Sequence, residues 1–509
     1  MTTNWCHRWF LSFARFLCII LLVTLCHATL VSSAAWQCSG ADYTSSVTID
    51  ISNLTTVSIN ACNFSSSLTI TCGSNDTQAT TAAVTLYRAL ISSGDLMIQD
   101  CPSFAAGTMN ITESTVTNGT LSFQNSNISG TQISLESNTA NSFSWSNVTL
   151  HSAAAITATS NTAASTTSNA ISFDSDSSLL SGTTLTLTSN NGTTSAAGKD
   201  ALLLEMASDS TTSVMMTSNW FSSSSSSGTG VFWNYHGGQL NASGTNEFSS
   251  LNISVATPTT SLLQIHGLTV TETAVVSCDN VTSDSDAQLE LLLENCTFPS
   301  LQFSGFPQHG AVTFRDATIS DTLLFSGGTL QNVSFVFETS TILGRIGYLN
   351  NGTLQSGSTF NFTSSSISCN VSSPSACIYS DSTVVFTDAE FRYSNTPIAN
   401  TNDGLTIEHN GTFGNTSIIT ETGTTITGGV SLPMTVTGGN STLTFGESVS
   451  TNEPATPAPT PAPTPVPTPV QGGRKMAIQE QEELIIYHDI ATAVHRLKHR
   501  RQFSTGGLL

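Results

Sequence analysis

The stretch from Met109 to Ile128, MNITESTVTNGTLSFQNSNI, limits what this chain can fold into more than any other feature. An apolar residue, a polar one and a second apolar one lead into a few small polar residues, and a third apolar residue closes the unit. Met109, Ile111 and Val116 fill those places first, and Leu121, Phe123 and Ile128 fill them again twelve positions later. The pattern returns as ISLESNT from Ile133, and downstream as LLLENCTF, VTFRDATI, LLFSGGTL, FVFETSTI, FNFTSSSI and VVFTDAEF. Self-similarity at a fixed short spacing is the mark of a stacked repeat architecture.

An apolar, polar, apolar triplet alternates with period two, which predicts short strands with one buried face. The Asn, Asp, Ser and Gly residues that follow turn the chain by local hydrogen bonding or by tolerating unusual backbone angles. Val312, Leu323 and Phe335 begin successive units. Two units then make one coil of about 22 to 24 residues, the size of a β-solenoid repeat. A β-sandwich is the competing all-β architecture, but the strands are short for one and Asn-Gly hairpins between equal partners are not the rule. From Thr108 to Val449 the spacing predicts about 15 coils and a rod on the order of 70 Å long. Phe303, Phe314, Phe325, Phe337, Phe362 and Phe386 recur in matching places and predict a ladder of stacked rings inside the coil. The same register predicts that Asn110, Asn252 and Asn361, each between two apolar residues, point to solvent.

The chain begins with Arg8 and Arg15, an apolar run from Phe16 to Leu25 and small residues before Trp36. That order reads as a secretory signal over residues 1–35, with an uncleaved signal anchor as the alternative. In either case the rest of the chain lies on the luminal or outer side. Of eleven cysteines, eight follow this segment: Cys38, Cys62, Cys72, Cys101, Cys278, Cys296, Cys369 and Cys377. Their spacing matches no common zinc pattern, and an even number in an oxidising compartment predicts disulfides. The first four are read as staples of an N-terminal cap. Cys369 with Cys377 and Cys278 with Cys296 are the expected local pairs. Nineteen Asn-x-Ser/Thr acceptors occur, with Asn110, Asn127, Asn147, Asn252 and Asn361 as the leading glycosylation candidates.

Charge is sparse and negative, with a formal net charge of −21. Between Trp36 and Val470 the basic residues are Arg88, Lys199, Arg315, Arg345 and Arg392. A nucleic-acid partner needs a basic surface that this composition lacks. The expected partner is an extracellular glycan or protein, with membrane association through the N-terminal apolar segment.

Residues 36–107, irregular and cysteine-dense, are expected to cap the solenoid, and residues 108–450 to form it. The Ser-, Thr- and Ala-rich part from His151 to Ser227 is expected to be degraded and less tightly packed, with room for a mobile insertion. At residues 451–473 the composition switches to PATPAPTPAPTPVPTPV and its flanks, an extended polyproline stalk. Residues 474–509 carry Ile486, Ile490, Val494 and Leu497 at helical spacing, with acidic residues early and basic ones late, which predicts an amphipathic helix. Its apolar run is broken by His488 and Asp489 and falls short of a membrane span.

This unit pattern, over about Thr108 to Val449, resembles that of right-handed parallel β-helix proteins of the pectin-lyase-like superfamily. Among them it resembles the repeat-rich passengers of surface adhesins and protist surface proteins. The resemblance implies an all-β, right-handed parallel β-helix. The superfamily also holds polysaccharide lyases and galacturonases. The galacturonase order NTD, DD, GHG, RIK has only scattered echoes here, in TNDG (Thr401 to Gly404), HGG (His236 to Gly238) and GRIG (Gly344 to Gly347), out of order and without a paired DD. Asp174 with Asp176, and Asp284 with Asp286, are D-x-D pairs of a kind that can face calcium but more often make turns. Arg315, Arg345 and Arg392 are scattered, and His151, His236, His266, His309 and His409 lack ligand spacing. No catalytic, cofactor or metal residue is nominated. The expected role is a non-catalytic surface or secreted glycoprotein, with an extracellular carbohydrate-active enzyme as the alternative.

Overall fold

A computed structural model describes residues 35–444, apart from short internal stretches of which 278–288 is the longest. The chain divides into two units, Met1–Asn452 and Glu453–Leu509, and the described residues all belong to the first. The expected stalk, the helical tail and all but the last residue of the signal segment lie outside them.

The described chain is an all-β parallel solenoid. A 17-stranded sheet forms one side, a 31-stranded sheet bends around the next sides, and a five-stranded sheet closes part of the C-terminal half. One coil shows how the repeat is made. Thr108–Thr112 lies in the first sheet and Thr115–Ser129 bends through the second. Gln132–Glu136 then takes the position one level up, in register from Thr108 against Gln132 to Thr112 against Glu136. Met109, Ile111, Val116, Leu121, Phe123 and Ile128 are all buried, as the period-two pattern requires. Val312 pairs with Phe335 on the first sheet, while Leu323 lies on the second, so two sequence units do make one coil.

Coil length varies more than expected. The register step is 21 residues from Ala35 to Thr56, 29 from Ala155 to Thr184 and again to Ser213, and 31 from Thr359 to Glu390. Among the described residues the first sheet holds 14 strands from Thr108 onward, one for each coil. The part from His151 to Ser227 is not degraded: its described strands continue both sheets without a break. Its extra residues lie between two second-sheet strands of each coil. There Asp200 accepts from the Thr229 backbone N–H and hydroxyl, each at 2.7 Å, and Asn169 accepts from Asp200 N at 2.9 Å.

Residues 36–107 also belong to the first sheet, through Ala35–Ser39, Thr56–Asn60 and Ala83–Tyr87, the last paired with Thr108–Thr112. Disulfides Cys38–Cys62 and Cys72–Cys101 tie successive coils together there, and Cys369–Cys377 closes a local loop. Cys296 is a buried free thiol. Its Sγ hydrogen bonds to the carbonyl oxygens of Glu294 and Ile265, and burial raises its pKa to about 11. Cys278 lies outside the described residues.

The phenylalanines do not form one ladder. They stand in parallel columns, because each coil has several inward positions. Phe314, Phe337, Phe362 and Tyr393 stack at 4.4, 4.4 and 5.0 Å. Phe335, Phe360 and Phe391 form a second column, and Phe303, Phe325 and Tyr348 a third that meets it edge-on. Phe386 lies on the third sheet, one level below Phe413, and meets Tyr348 and Phe391 edge-on. Each such ring contributes roughly 1.5 to 3 kcal/mol by burial, with more from stacking.

Candidate functional site

What can meet a partner is the outer surface, and a polar column inside one corner sets its register. As the chain leaves the first sheet it adopts a left-handed conformation at Arg88, Glu113, Ser137, Ser160, Ser189 and Ser218, with φ of 50° to 56°. Such angles are unfavourable for side chains with a Cβ. The kink also turns the next backbone N–H into the interior, where it must find an acceptor. The coil above supplies one. Ser114 N–H donates to Asn138 Oδ1, Asn138 N–H to Asn161, Asn161 N–H to Asn190, Asn190 N–H to Asn219 and Asn219 N–H to Asn246, at 2.9 to 3.0 Å. Each carboxamide from Asn138 to Asn219 also donates to a first-sheet carbonyl of the coil below and to the next asparagine. Later coils replace asparagine with serine, as where Ala317 N–H meets Ser340 and Ser340 N–H meets Ser365. Sequence reasoning missed this ladder by reading its triplets as turns. The signal was the triplet Thr-Ser-Asn, ending at Asn161, Asn190 and Asn219, 29 residues apart.

With the register held this way, Asn110, Asn127 and Asn147 are exposed and Asn252 and Asn361 half-buried, while their apolar neighbours are buried. Asn127 Oδ1 accepts from His151 Nε2 at 2.7 Å, and Asn147 Nδ2 donates to Asn125 Oδ1 at 3.0 Å. The Asn252 Oδ1 is buried without a partner. The separation extends further. None of the fifteen acceptor asparagines among the described residues is buried, and none of the buried asparagines, Asn138, Asn161, Asn190, Asn219, Asn246 and Asn400, belongs to an acceptor triplet. Alternation explains part of it. Two residues after a ladder asparagine the chain faces inward again, at Ala140, Ala163, Gly192, Phe221 and Phe248, where a hydroxyl has no place.

The arginines of the described residues are already engaged. Arg88 pairs with Glu113 at 2.7 Å, and Arg315 bridges Glu294 at 3.7 Å and Glu338 at 3.0 Å. Arg392 pairs with Glu390 and Glu421, and Arg345 lies 4.0 Å from the Tyr379 ring. His266 extends the Arg315 row through Glu294 at 2.6 Å. Apart from Arg392 with Glu390, which share one strand, these contacts join neighbouring rungs at the surface, where solvent screens them.

One carboxyl stands out. Asp174 is half-buried, and desolvation raises its pKa against hydrogen bonds from the Ser172 and Ser146 hydroxyls; Asp176 adds repulsion and Lys199 attraction. Glu205 N–H donates to Phe173 O at 2.9 Å, which places Glu205 on the rung next to Asp174. Ser177 N–H donates to the Asp174 carbonyl, so the D-x-D pair also makes a turn. Among the described residues no three His, Cys, Asp or Glu side chains converge in a way that could hold a metal ion. Asp284, Asp286, Asp403, His236 and His309 lie outside them. His409 is buried inside the coil beside Phe386, Phe391, Phe413 and Tyr348, with Nδ1 3.2 Å from Ser380 Oγ. Burial lowers its pKa to about 4.

Comparison of the chain with models of known protein families, with curated proteins and with solved structures finds no match.

Proposed function

We propose that this chain is a non-catalytic secreted or cell-surface glycoprotein. Its solenoid, a right-handed β-helix of pectin-lyase-like type, is displayed outside the cell for adhesion, recognition or surface coating. The observation that carries this reading is the segregation of asparagines: acceptor triplets occupy surface positions, and the buried ladder contains none. A glycan is compatible with the first set and would have no room in the packed interior occupied by the second. Three disulfides suit an oxidising compartment. The ligand in this reading is an extracellular glycan or protein, and the N-terminal apolar segment directs the chain outward or holds it at the membrane. The test is an antibody against residues 108–450 applied to live, unpermeabilised cells and to the culture medium, with enzymatic release of N-glycans from the recovered protein. The expected result is surface or medium signal and a loss of mass on release. Signal only after permeabilisation, with no loss of mass, would overturn the proposal.

A second reading, an extracellular carbohydrate-active enzyme, is favoured by one observation: a half-buried acid of raised pKa, Asp174, with Glu205 on the next rung and Lys199 near. Paired carboxylates are what glycosidic chemistry requires. Turnover of a neutral polysaccharide that disappears in Asp174→Asn would promote it, and absence of turnover in the unmodified protein would remove it.

A further inference from the structure

Among the described residues four large apolar side chains are exposed, Met215, Trp220, Leu343 and Val385, and two of them sit on a single coil. Trp220 begins the strand Trp220–Ser223 and is 40% exposed. Its column on the second sheet reads Thr139, Thr162, Asn191, Trp220 and Glu247, polar except for the indole. Met215 lies on the first sheet, where its column reads Thr157, Thr186, Met215, Asn241 and Gln264, again polar except for one residue. In each case the neighbouring rung carries an acceptor asparagine in register. Asn191 of Asn191-Gly192-Thr193 pairs with Trp220 from the coil below, and Asn241 of Asn241-Ala242-Ser243 pairs with Met215 from the coil above. Both asparagines are exposed, on the same face as their apolar neighbour.

We propose that Asn191 and Asn241 carry N-linked glycans whose first sugars lie along the solenoid axis and cover Trp220 and Met215. Neighbouring rungs are about 4.8 Å apart, so a sugar on either asparagine stands beside the apolar side chain at contact range. A pyranose ring presents one face made of C–H bonds, which packs on an indole face or a thioether without desolvating a charge. The transfer joins the anomeric carbon of the first sugar to the asparagine Nδ2 and breaks that carbon's bond to oxygen in a lipid-linked pyrophosphate donor. The amide gives up one proton, and the lipid pyrophosphate leaves with it. The proposal rests on the glycosylated exterior role above and adds to it which acceptors are occupied and what their sugars touch.

The experiment uses the full chain secreted from a eukaryotic cell line, with glycopeptide mapping followed by hydroxyl-radical oxidation read at single residues by mass spectrometry. Asn191→Gln and Thr193→Ala each remove the Asn191 acceptor, and Asn241→Gln removes the other. The expected result is occupancy at Asn191 and Asn241 and oxidation of Trp220 that rises severalfold in both Asn191-site variants. Met215 should respond in the same way to Asn241→Gln, while Trp36, half-buried on the first coil, stays unchanged in all of them. Occupancy at other acceptors with Asn191 and Asn241 bare, or equal Trp220 oxidation with and without its glycan, would overturn this inference and leave the exterior role standing. A chain with no occupied acceptor would overturn both.

Discussion

Replacing Asn190 with alanine tests whether the buried asparagine ladder holds the first-sheet corner. The side chain takes part in four hydrogen bonds: it donates to Ala158 O at 2.8 Å and to Asn219 Oδ1 at 3.1 Å, and it accepts from Asn161 N–H and Asn161 Nδ2, each at 3.0 Å. In the alanine variant the Asn161 N–H, buried beside the left-handed Ser160, loses its acceptor, and the Ala158 carbonyl loses a donor. Each orphaned buried group costs about 1 to 3 kcal/mol, so the local loss is about 2 to 6 kcal/mol. Coils contact only their neighbours, so the damage should stay within one or two levels. Amide hydrogen exchange is therefore the assay. At about 1.4 kcal/mol per tenfold, protection at Asn161 and Ser160 should fall by roughly 30-fold or more, while amides around Phe337 stay unchanged. Asn141→Ala, at a half-buried position outside the ladder, is the control. Protection at Asn161 that stays within about threefold of the parent would refute the reasoning, given this arithmetic.

Three further outcomes follow from the packing. The folded-state pKa of His409 lies below its ordinary value, so its contribution is intact above about pH 6.5 and lost as pH falls toward about 4, by up to about 3 kcal/mol; denaturation series across that window should slope for the parent and flatten for His409→Phe. The Tyr348 hydroxyl is buried without a partner, so Tyr348→Phe should raise stability by about 1 kcal/mol, and a loss in urea unfolding would show that the hydroxyl is satisfied. Removing the disulfide between Cys72 and Cys101, which are 29 residues apart, by serine at both positions should cost about 3.5 kcal/mol; limited proteolysis should then start in the first coils and leave the later ones intact.

What could be read from the chain follows what has a short period. Met109, Ile111, Leu121 and Phe123 announced their own burial, because alternation leaves a strand few choices once one face is apolar. The outward direction of Asn110 followed from the same rule. Coil length was less legible, because the extra residues around Asp200 and Thr229 are polar and look like spacers, although they are hydrogen-bonded to one another. Cystine pairing was legible for Cys369 with Cys377, which are eight residues apart. It was not legible for Cys38 with Cys62, because only the stacking order brings those two together. The asparagine ladder was hidden for another reason. A buried asparagine and a turn asparagine are the same letter, and only the 29-residue recurrence separates them. Asp174 was visible as an acid, but its desolvation depends on coils that close around it.

The recurrence of that 29-residue step makes the coil a unit that can be exchanged whole. Thr184 stacks on Ala155 and Ser213 on Thr184 at the same step, and Asn161, Asn190 and Asn219 keep the same place in each level. Excising residues 184–212 would lay Ser213 over Ala155 and Asn219 over Asn161, with every rung still matched. Duplicating the segment would lengthen the stack just as quietly. The stack can therefore change length by whole turns without calling for a new core.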